Sequence, residues 1–551
     1  MRDERPIIVQ SDGSILLETH APGADEARGL LAPFAELVKS PEHVHTYRVT
    51  ALSIWNARAV GMTAETMVET LHAFARYTVP ATVIANVREL AARYGLLTLD
   101  RTPDGLRLSC VDPETAERIA RDKTVGRLLR RSDDRAFDVD RAARGELKQA
   151  LVRVGFPVDD RAGYSDGSSL DVRLRETCVL RDYQRAAADA FHQSGNASGG
   201  SGVVTLPCGA GKTVVGLAAM AAVGQTTLIL TTSTSSVHQW RREILDKTTL
   251  ADEDVATYTA ERKETGPVTL ATYQMLTWRA SGDDDFPHLA LFAARPWGLI
   301  VYDEVHLLPA PVFRATADLQ TRRRLGLTAT LVREDGREGD VFALIGPKRY
   351  DVPWRELEAR SWIAAARCTE VRVAMPPARR MEYALADRRT RFRIAAENPA
   401  KTEVVRDIVR RHPASRVLIL GEYVEQLERL ARLLRVPVIT GKTKANERER
   451  LYDDFRRGTT RHLVLSRVGN FAIDLPEADL LIQVSGAFGS RQEEAQRLGR
   501  VLRPKADGRG AQFFTLVSRD TDEEEAGHRR QTFLAEQGYA YDVATPEVFQ
   551  A

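Results

Sequence analysis

From residue 203 onward the chain is punctuated by short, continuously apolar runs rich in β-branched residues, with helical stretches between them. A first series falls at 203–206, 227–230, 268–273, 298–302 and 325–328; a second falls at 416–420, 436–439, 462–465, 480–484 and 513–517. Continuous rather than alternating apolarity marks strands buried on both faces, and that arrangement is a parallel sheet covered by helices. Two such series in succession predict two α/β domains.

At 551 residues the chain exceeds what one core can organise, and domain-size statistics suggest roughly three or four compact units. The first 170 residues read differently from the rest. An extended start at 6–17 and amphipathic helical segments such as 64–77 predict a small α+β accessory domain over 1–100. The helical segment 83–94, followed by Gly95-Leu96-Leu97-Thr98-Leu99, suggests the helix and wing of a winged-helix-like unit. A second small α+β unit follows, ending in a periodic helix at 146–154, and the Asp/Gly/Ser-rich stretch 159–171 reads as a linker. The expected divisions are therefore 1–100, 101–170, a first α/β domain over 171–352, an Arg-rich connector over 353–399 and a second α/β domain over 400–551.

Composition narrows the function classes. Hydrophobic content of 43% and charged content of 28% are ordinary for a globular protein, so neither disorder nor a fibrous fold is indicated. The formal charge is only +2, from 78 basic against 76 acidic residues, so any nucleic-acid surface must come from local arrangement. The apolar stretch 214–223 is too short to cross a bilayer, and the N-terminus carries no signal-peptide core. Cys110, Cys178, Cys208 and Cys368 form no CxxC pair, which argues against zinc or an iron–sulfur cluster. A cytoplasmic, nucleoid-associated protein with no membrane partner is expected.

The strongest motif is Leu206-Pro207-Cys208-Gly209-Ala210-Gly211-Lys212-Thr213, placed after one apolar run and before a helical one. Glycines let backbone N–H groups wrap phosphates, and the helix N-terminus adds a favourable field. Lys212 would then reach the β- and γ-phosphates of ATP, and the Thr213 hydroxyl would bind Mg2+. A Gly-rich turn can arise by chance, but the strand–loop–helix context argues otherwise. Leu206 stands where the strict phosphate-loop pattern wants glycine.

A second motif, Leu299-Ile300-Val301-Tyr302-Asp303-Glu304-Val305-His306, is an apolar strand ending in adjacent carboxylates. Such a pair suits a Walker-B site, with Asp303 holding the metal and Glu304 polarising the attacking water. Alone it would read as a solvated turn; after a phosphate loop it reads as catalytic. The third is Gln496-Arg497-Leu498-Gly499-Arg500-Val501-Leu502-Arg503 in the second domain. A spacing of three puts Arg500 and Arg503 on one helical face, where they could act as arginine fingers on a phosphate bound in the first domain.

Together these motifs resemble superfamily 2 helicases of the DExH kind, which implies two RecA-like domains with ATP and Mg2+ as cofactors. On that resemblance, Leu180-Arg181-Asp182-Tyr183-Gln184 looks like a Q motif, with Arg181 and Gln184 toward adenine. Leu327-Thr328-Ala329-Thr330 looks like the motif coupling ATP state to domain closure, with His306 and Asp474 in the same coupling role. The segments 233–240, Thr272-Tyr273 and 466–474 occupy the places of strand-contacting motifs, with Thr272 and Ser466 toward DNA. Gln496 is expected among the nucleotide-site residues.

The match is closer to the XPB family, bacterial type. It rests on the phosphate loop, Asp303-Glu304-Val305-His306, Leu331-Val332-Arg333-Glu334-Asp335, Leu344-Ile345-Gly346-Pro347-Lys348 and the run 496–503. Arg333-Glu334-Asp335 is similar to that family's strand-separation motif. The connector sits where the family carries its thumb-like insertion, and 101–170 resembles its DNA-damage-recognition domain. The resemblance implies ATP-dependent, 3′ to 5′ unwinding of DNA in repair or promoter opening, with single-stranded, forked or damaged duplex DNA as the partner. No nuclease constellation is evident, so a nuclease or repair partner would supply cleavage. An RNA helicase, a double-strand translocase without strand separation and a non-enzymatic DNA-binding scaffold are the rival readings.

Overall fold

The computed structural model describes residues 4–39, 43–141, 143–195, 199–207, 209–279, 286–308, 312, 323–329, 338–352, 354–466, 475, 478–486, 510–527 and 541–549. Among the described residues the strands form four sheets. The chain divides into two compact units, the second of which includes 353–551.

The first sheet joins β1 (Ile7–Val9), β2 (Ser14–Glu18), β3 (Glu36–Lys39) and β4 (Val44–Arg48) in the order β1-β2-β4-β3. Helices Ala51–Ala59, Ala64–Phe74 and Ala81–Arg93 share its core, in which Ile7, Ile15, Leu17, Ile54, Leu71 and Val87 are fully shielded. Burying side chains of this size contributes roughly 1.5–3 kcal/mol each. Two of these helices start on threonine caps, Thr50 accepting from Ser53 N and Thr63 from Thr66 N.

The second sheet contains β5 (Leu97–Arg101), β6 (Leu106–Cys110), β7 (Arg130–Arg131), β8 (Ala136–Val139) and β9 (Val158–Asp160), in the order β7-β8-β6-β5-β9. The strand that follows helix Ala81–Arg93 thus pairs with β6 and β9, and the expected division at residue 100 falls inside it. Behind this sheet, Arg144 donates to Asp160 at 3.0 and 2.7 Å and to the Gly163 carbonyl at 3.0 Å. Lys148 Nζ lies 3.0 Å from the same carboxylate. The stretch read as a linker runs along the first α/β domain: Leu170 N donates to Gly224 O, Thr226 N to Ser168 O, and Gln225 Nε2 to Asp166.

The third sheet holds β10 (Ser201–Thr205), β11 (Thr227–Thr231), β12 (Val255–Tyr258), β13 (Val268–Thr272), β14 (Leu299–Asp303), β15 (Arg323–Thr328) and β16 (Lys348–Asp351). Its order is β12-β13-β11-β14-β15-β10-β16, and every pairing is parallel. Each residue of β10, β11 and β13 is buried, as continuous apolarity requires. The apolar stretch 214–223 lies in helix Lys212–Val223, a core helix of this domain.

The fourth sheet repeats the design with β17 (Ala366–Val373), β18 (Val417–Leu420), β19 (Val438–Ile439), β20 (His462–Leu465), β21 (Leu480–Gln483), β22 (Ala511–Ser518) and β23 (Tyr541–Ala544). The order β19-β20-β18-β21-β22-β17-β23 is again all parallel. The segment read as a connector therefore contributes β17, which pairs with β22 along eight residues. A fully buried ion pair, Lys401 Nζ to Glu523 at 2.7 Å, ties helix Ala400–Arg411 to the chain beyond β22. Lys401 also donates to Val484 O at 2.9 Å, so its charge is solvated by protein oxygens.

Candidate nucleotide-binding site

Strand order explains why the motifs meet. In the third sheet β14, β15 and β10 are neighbours, so their C-terminal ends bring Asp303, Thr328 and the chain leading to Lys212 to one edge. Open α/β sheets bind ligands at that edge. Leu206 N donates to Thr328 O at 2.9 Å, carrying the β10–β15 ladder one step past the strands.

The loop turns back through Gly209 (φ +82°) and ends on Gly211 (φ +80°), the N-cap of helix Lys212–Val223. Gly211 is required twice over. Its backbone is in the left-handed region, and a Cβ there would come within 2.5 Å of Gln184 Nε2. Gln184 is buried, and its Oε1 accepts from Arg181 N at 3.0 Å, capping helix Asp182–His192. Gln184 is thereby placed against Gly211 at the end of the glycine-rich loop, and Arg181 Nη1 lies 3.3 Å from Tyr183 Oη.

Lys212 Nζ lies 3.1 Å from Glu304 Oε1. Glu304 follows β14 with φ +50° and ψ +54°, an unusual conformation for a residue with a side chain, and it turns the carboxylate toward the lysine. Asp303 is held at two points. Trp240 Nε1 donates to its Oδ2 at 3.0 Å, and the Tyr273 hydroxyl donates to its backbone carbonyl at 2.9 Å. Burial, reinforced by the neighbouring Glu304 charge, raises the Asp303 carboxyl to about 6. Burial also acts upward on Glu304, but the Lys212 ammonium and then His306 outweigh it and leave that carboxyl below its ordinary value. Adjacent carboxylates are thus given different proton affinities by their surroundings.

His306 is buried, with Nδ1 2.8 Å from Thr328 Oγ1 and 3.5 Å from Glu304 Oε2. It therefore joins the carboxylate to the end of β15.

Other expected residues have local occupations. The Thr272 hydroxyl caps helix Tyr273–Leu276 by accepting from Met275 N at 3.1 Å, and Ser233 does the same for helix Thr234–Lys247. Ser466, in the second α/β domain, is buried, and its N–H donates to Ile439 O at 2.9 Å. Cys208, Thr330, Arg333, Glu334, Asp335, Asp474, Gln496, Arg500 and Arg503 lie outside the described residues. Three contributors were missed as such: Trp240 and Tyr273, which hold Asp303, and Gly216, against which Trp240 packs.

Among the described residues no group of three or more His, Cys, Asp or Glu is arranged to hold a metal ion. Mg2+ in nucleotide sites commonly uses one or two protein oxygens with phosphate oxygens and water. The hard oxygens of Thr213 and Asp303 fit that demand. No helix among the described residues is long and apolar enough to cross a membrane.

Family models match at residues 357–549 (ERCC3/RAD25/XPB C-terminal helicase), 177–333 (type III restriction enzyme, res subunit) and 7–133 (helicase conserved C-terminal domain). The DNA 3′-5′ helicase XPB of Mycobacterium tuberculosis is 54% identical over 539 residues, covering 97% of each chain. The chain belongs to the XPB family. The XPB of Kineococcus radiotolerans is also 54% identical, over 98% of this chain and 96% of its own. XPB proteins are ATP-hydrolysing helicases or translocases, and this chain is one of them. A solved structure of Saccharomyces cerevisiae Dbp5 bound to RNA and ADP BeF3 matches with a TM-score of 0.50 at 14% identity, covering 67% of this chain and 92% of that one. That likeness concerns the fold of the helicase core.

Proposed function

We propose that this XPB protein is an ATP-driven motor that moves 3′ to 5′ on DNA and separates its strands. The observation that carries the reading is the Lys212–Glu304 contact beside Asp303, at the shared C-terminal edge of β10, β14 and β15. Lys212 binds the β- and γ-phosphates, and the backbone from Pro207 to Gly211 wraps them. Arg181 and Gln184 meet the adenine. Asp303 and Thr213 hold Mg2+, which when bound neutralises phosphate charge. Glu304, kept ionised by Lys212 and His306, takes the proton of the attacking water.

Arg500 and Arg503, with Gln496 nearby in sequence, complete the site as fingers from the second α/β domain. His306, Thr328, Thr330 and Asp474 relay nucleotide state. Thr272 and Ser466 mark the DNA-contacting segments, and Arg333, Glu334 and Asp335 act in strand separation. Contacts to phosphate rather than to bases make binding indifferent to sequence and sensitive to salt.

The deciding experiment measures ATP turnover with single-stranded DNA, duplex, fork and RNA, alongside fork unwinding. Stimulation by single-stranded and forked DNA with 3′ to 5′ unwinding is expected. Equal stimulation by RNA overturns the choice of polymer, and triplex displacement without fork unwinding makes the protein a double-strand translocase.

A further inference from the structure

Helix Thr234–Lys247 follows β11, and the segment 233–240 that opens it is one that the family resemblance sets among strand-contacting motifs. Two turns in, Trp240 is, with Trp297, one of the two largest fully buried side chains of the described residues. Its indole is wedged against helix Lys212–Val223 at Gly216, where a Cβ would lie 2.5 Å from Cη2. The far edge of the ring donates its N–H to Asp303 Oδ2. Tyr273 begins a second such element: it follows Thr272, and its hydroxyl ends on the Asp303 carbonyl. Both donors serve one residue, one on the side chain and one on the main chain. Each comes from an element expected to touch a DNA strand.

We infer that Trp240 and Tyr273 are positioning residues for Asp303, and that they transmit strand contact to the hold on Mg2+-nucleotide. The inference rests on the assignment of Asp303 to Mg2+ under the proposed function. An aspartate rotating freely about its side chain presents a metal with many geometries; one oxygen fixed by an indole N–H leaves the other directed. The indole cannot move with its helix without displacing that oxygen, because Gly216 closes the space on its other side. Partners that orient a metal-binding carboxylate are commonly worth 10–100-fold in metal affinity.

The test uses the full chain and a fluorescent ADP, with binding measured across a Mg2+ titration and in EDTA, with and without saturating single-stranded DNA. The variants are Trp240→Phe, which keeps an aromatic side chain but replaces the indole by a smaller ring and removes the N–H, Tyr273→Phe, which removes one hydroxyl, and Asp303→Asn. For Trp240→Phe the half-saturating Mg2+ should rise about tenfold or more while affinity in EDTA stays within about twofold. Tyr273→Phe, which loses a bond to a neutral carbonyl, should show a smaller rise of about threefold. In the unsubstituted protein DNA should lower the half-saturating Mg2+, and in Trp240→Phe that response should be lost. Unchanged Mg2+ dependence and an intact DNA response in both aromatic variants overturn the inference. So does a fall in EDTA affinity and thermal midpoint equal to the fall in Mg2+ response, which would make the rings packing alone. Asp303→Asn separates the two claims. If it retains the full Mg2+ response, the assignment of Asp303 fails; if it loses the response while Trp240→Phe keeps it, only the positioning role fails.

Discussion

His306 and Thr328 share a hydrogen bond of 2.8 Å that joins the segment after β14 to the last residue of β15. Both side chains are buried. The bond sits between Glu304, which His306 approaches at 3.5 Å, and the Leu327-Thr328-Ala329-Thr330 motif. It links the neighbour of the assigned water-activating carboxylate to the assigned coupling motif.

Thr328→Val keeps the shape and removes the hydroxyl. ATP turnover should stay within about threefold while fork unwinding falls by about tenfold, as expected when a residue tunes coupling rather than chemistry. Turnover and unwinding falling in parallel would assign Thr328 to the chemistry itself.

Glu304→Gln and Lys212→Ala should fail in different ways. The first keeps nucleotide affinity and loses about 10²- to 10⁴-fold in DNA-stimulated turnover, the usual worth of a positioned base. The second also weakens nucleotide binding, because an ammonium that meets phosphate in the ground state is gone. DNA affinity should survive both. Normal turnover in purified Lys212→Ala would remove the phosphate-loop assignment.

Asp160→Asn should destabilise the unit that carries β5–β9. Arg144 is 3% exposed and donates two hydrogen bonds to Asp160, so its charge would be left buried beside a neutral partner. Breaking such a pair costs about 3–5 kcal/mol. Burial raises the Asp160 carboxyl, but Lys148 and Arg144 together pull it well below its ordinary 3.8. A depressed carboxyl contributes stability that is fully present above that ordinary value and is lost as pH falls below it. Thermal unfolding of the unsubstituted protein should therefore steepen in its pH dependence below about pH 4, and Asp160→Asn should flatten that limb.

Gly216→Ala reverses a familiar rule. In an exposed helix the change favours folding by about 1 kcal/mol. Here the new methyl would stand 2.5 Å from the Trp240 ring and 3.3 Å from Leu327 Cδ1. Overpacking of this kind costs about 1–3 kcal/mol, so chemical denaturation should show a net loss. A gain in stability would mean that the indole relocates at no cost.

What could be read in the sequence and what could not differ for physical reasons. The runs at 203–206, 227–230 and 268–273 declare themselves because both faces of β10, β11 and β13 are covered, leaving no position for a polar residue. β17 is hidden by charge. Arg367, Glu370 and Arg372 interrupt its apolar pattern, yet Glu370 is buried and accepts from Arg372 Nε at 2.7 Å, so the polar groups are satisfied within the sheet. β16, Lys348–Asp351, is masked in the same way by a Lys348–Asp351 ion pair of 3.0 Å. At the candidate site, Lys212, Asp303 and Glu304 are legible because they stand at the boundaries of regular elements: Lys212 opens a helix, Asp303 ends β14 and Glu304 follows it. The Trp240–Asp303 bond spans 63 residues of chain and carries no local signature; only strand order brings its ends together.

The left-handed backbone at Glu304 has a bearing on how such a protein can be engineered or can drift. A residue with a side chain held there costs about 1–3 kcal/mol, and glycine would relieve most of it. Glycine at 304 would also take away the carboxylate that lies 3.1 Å from the Lys212 ammonium. Strain and ion pair therefore oppose each other at one residue, so selection for thermal tolerance alone gains little by replacing the glutamate, and the pair itself shelters the strained residue from drift.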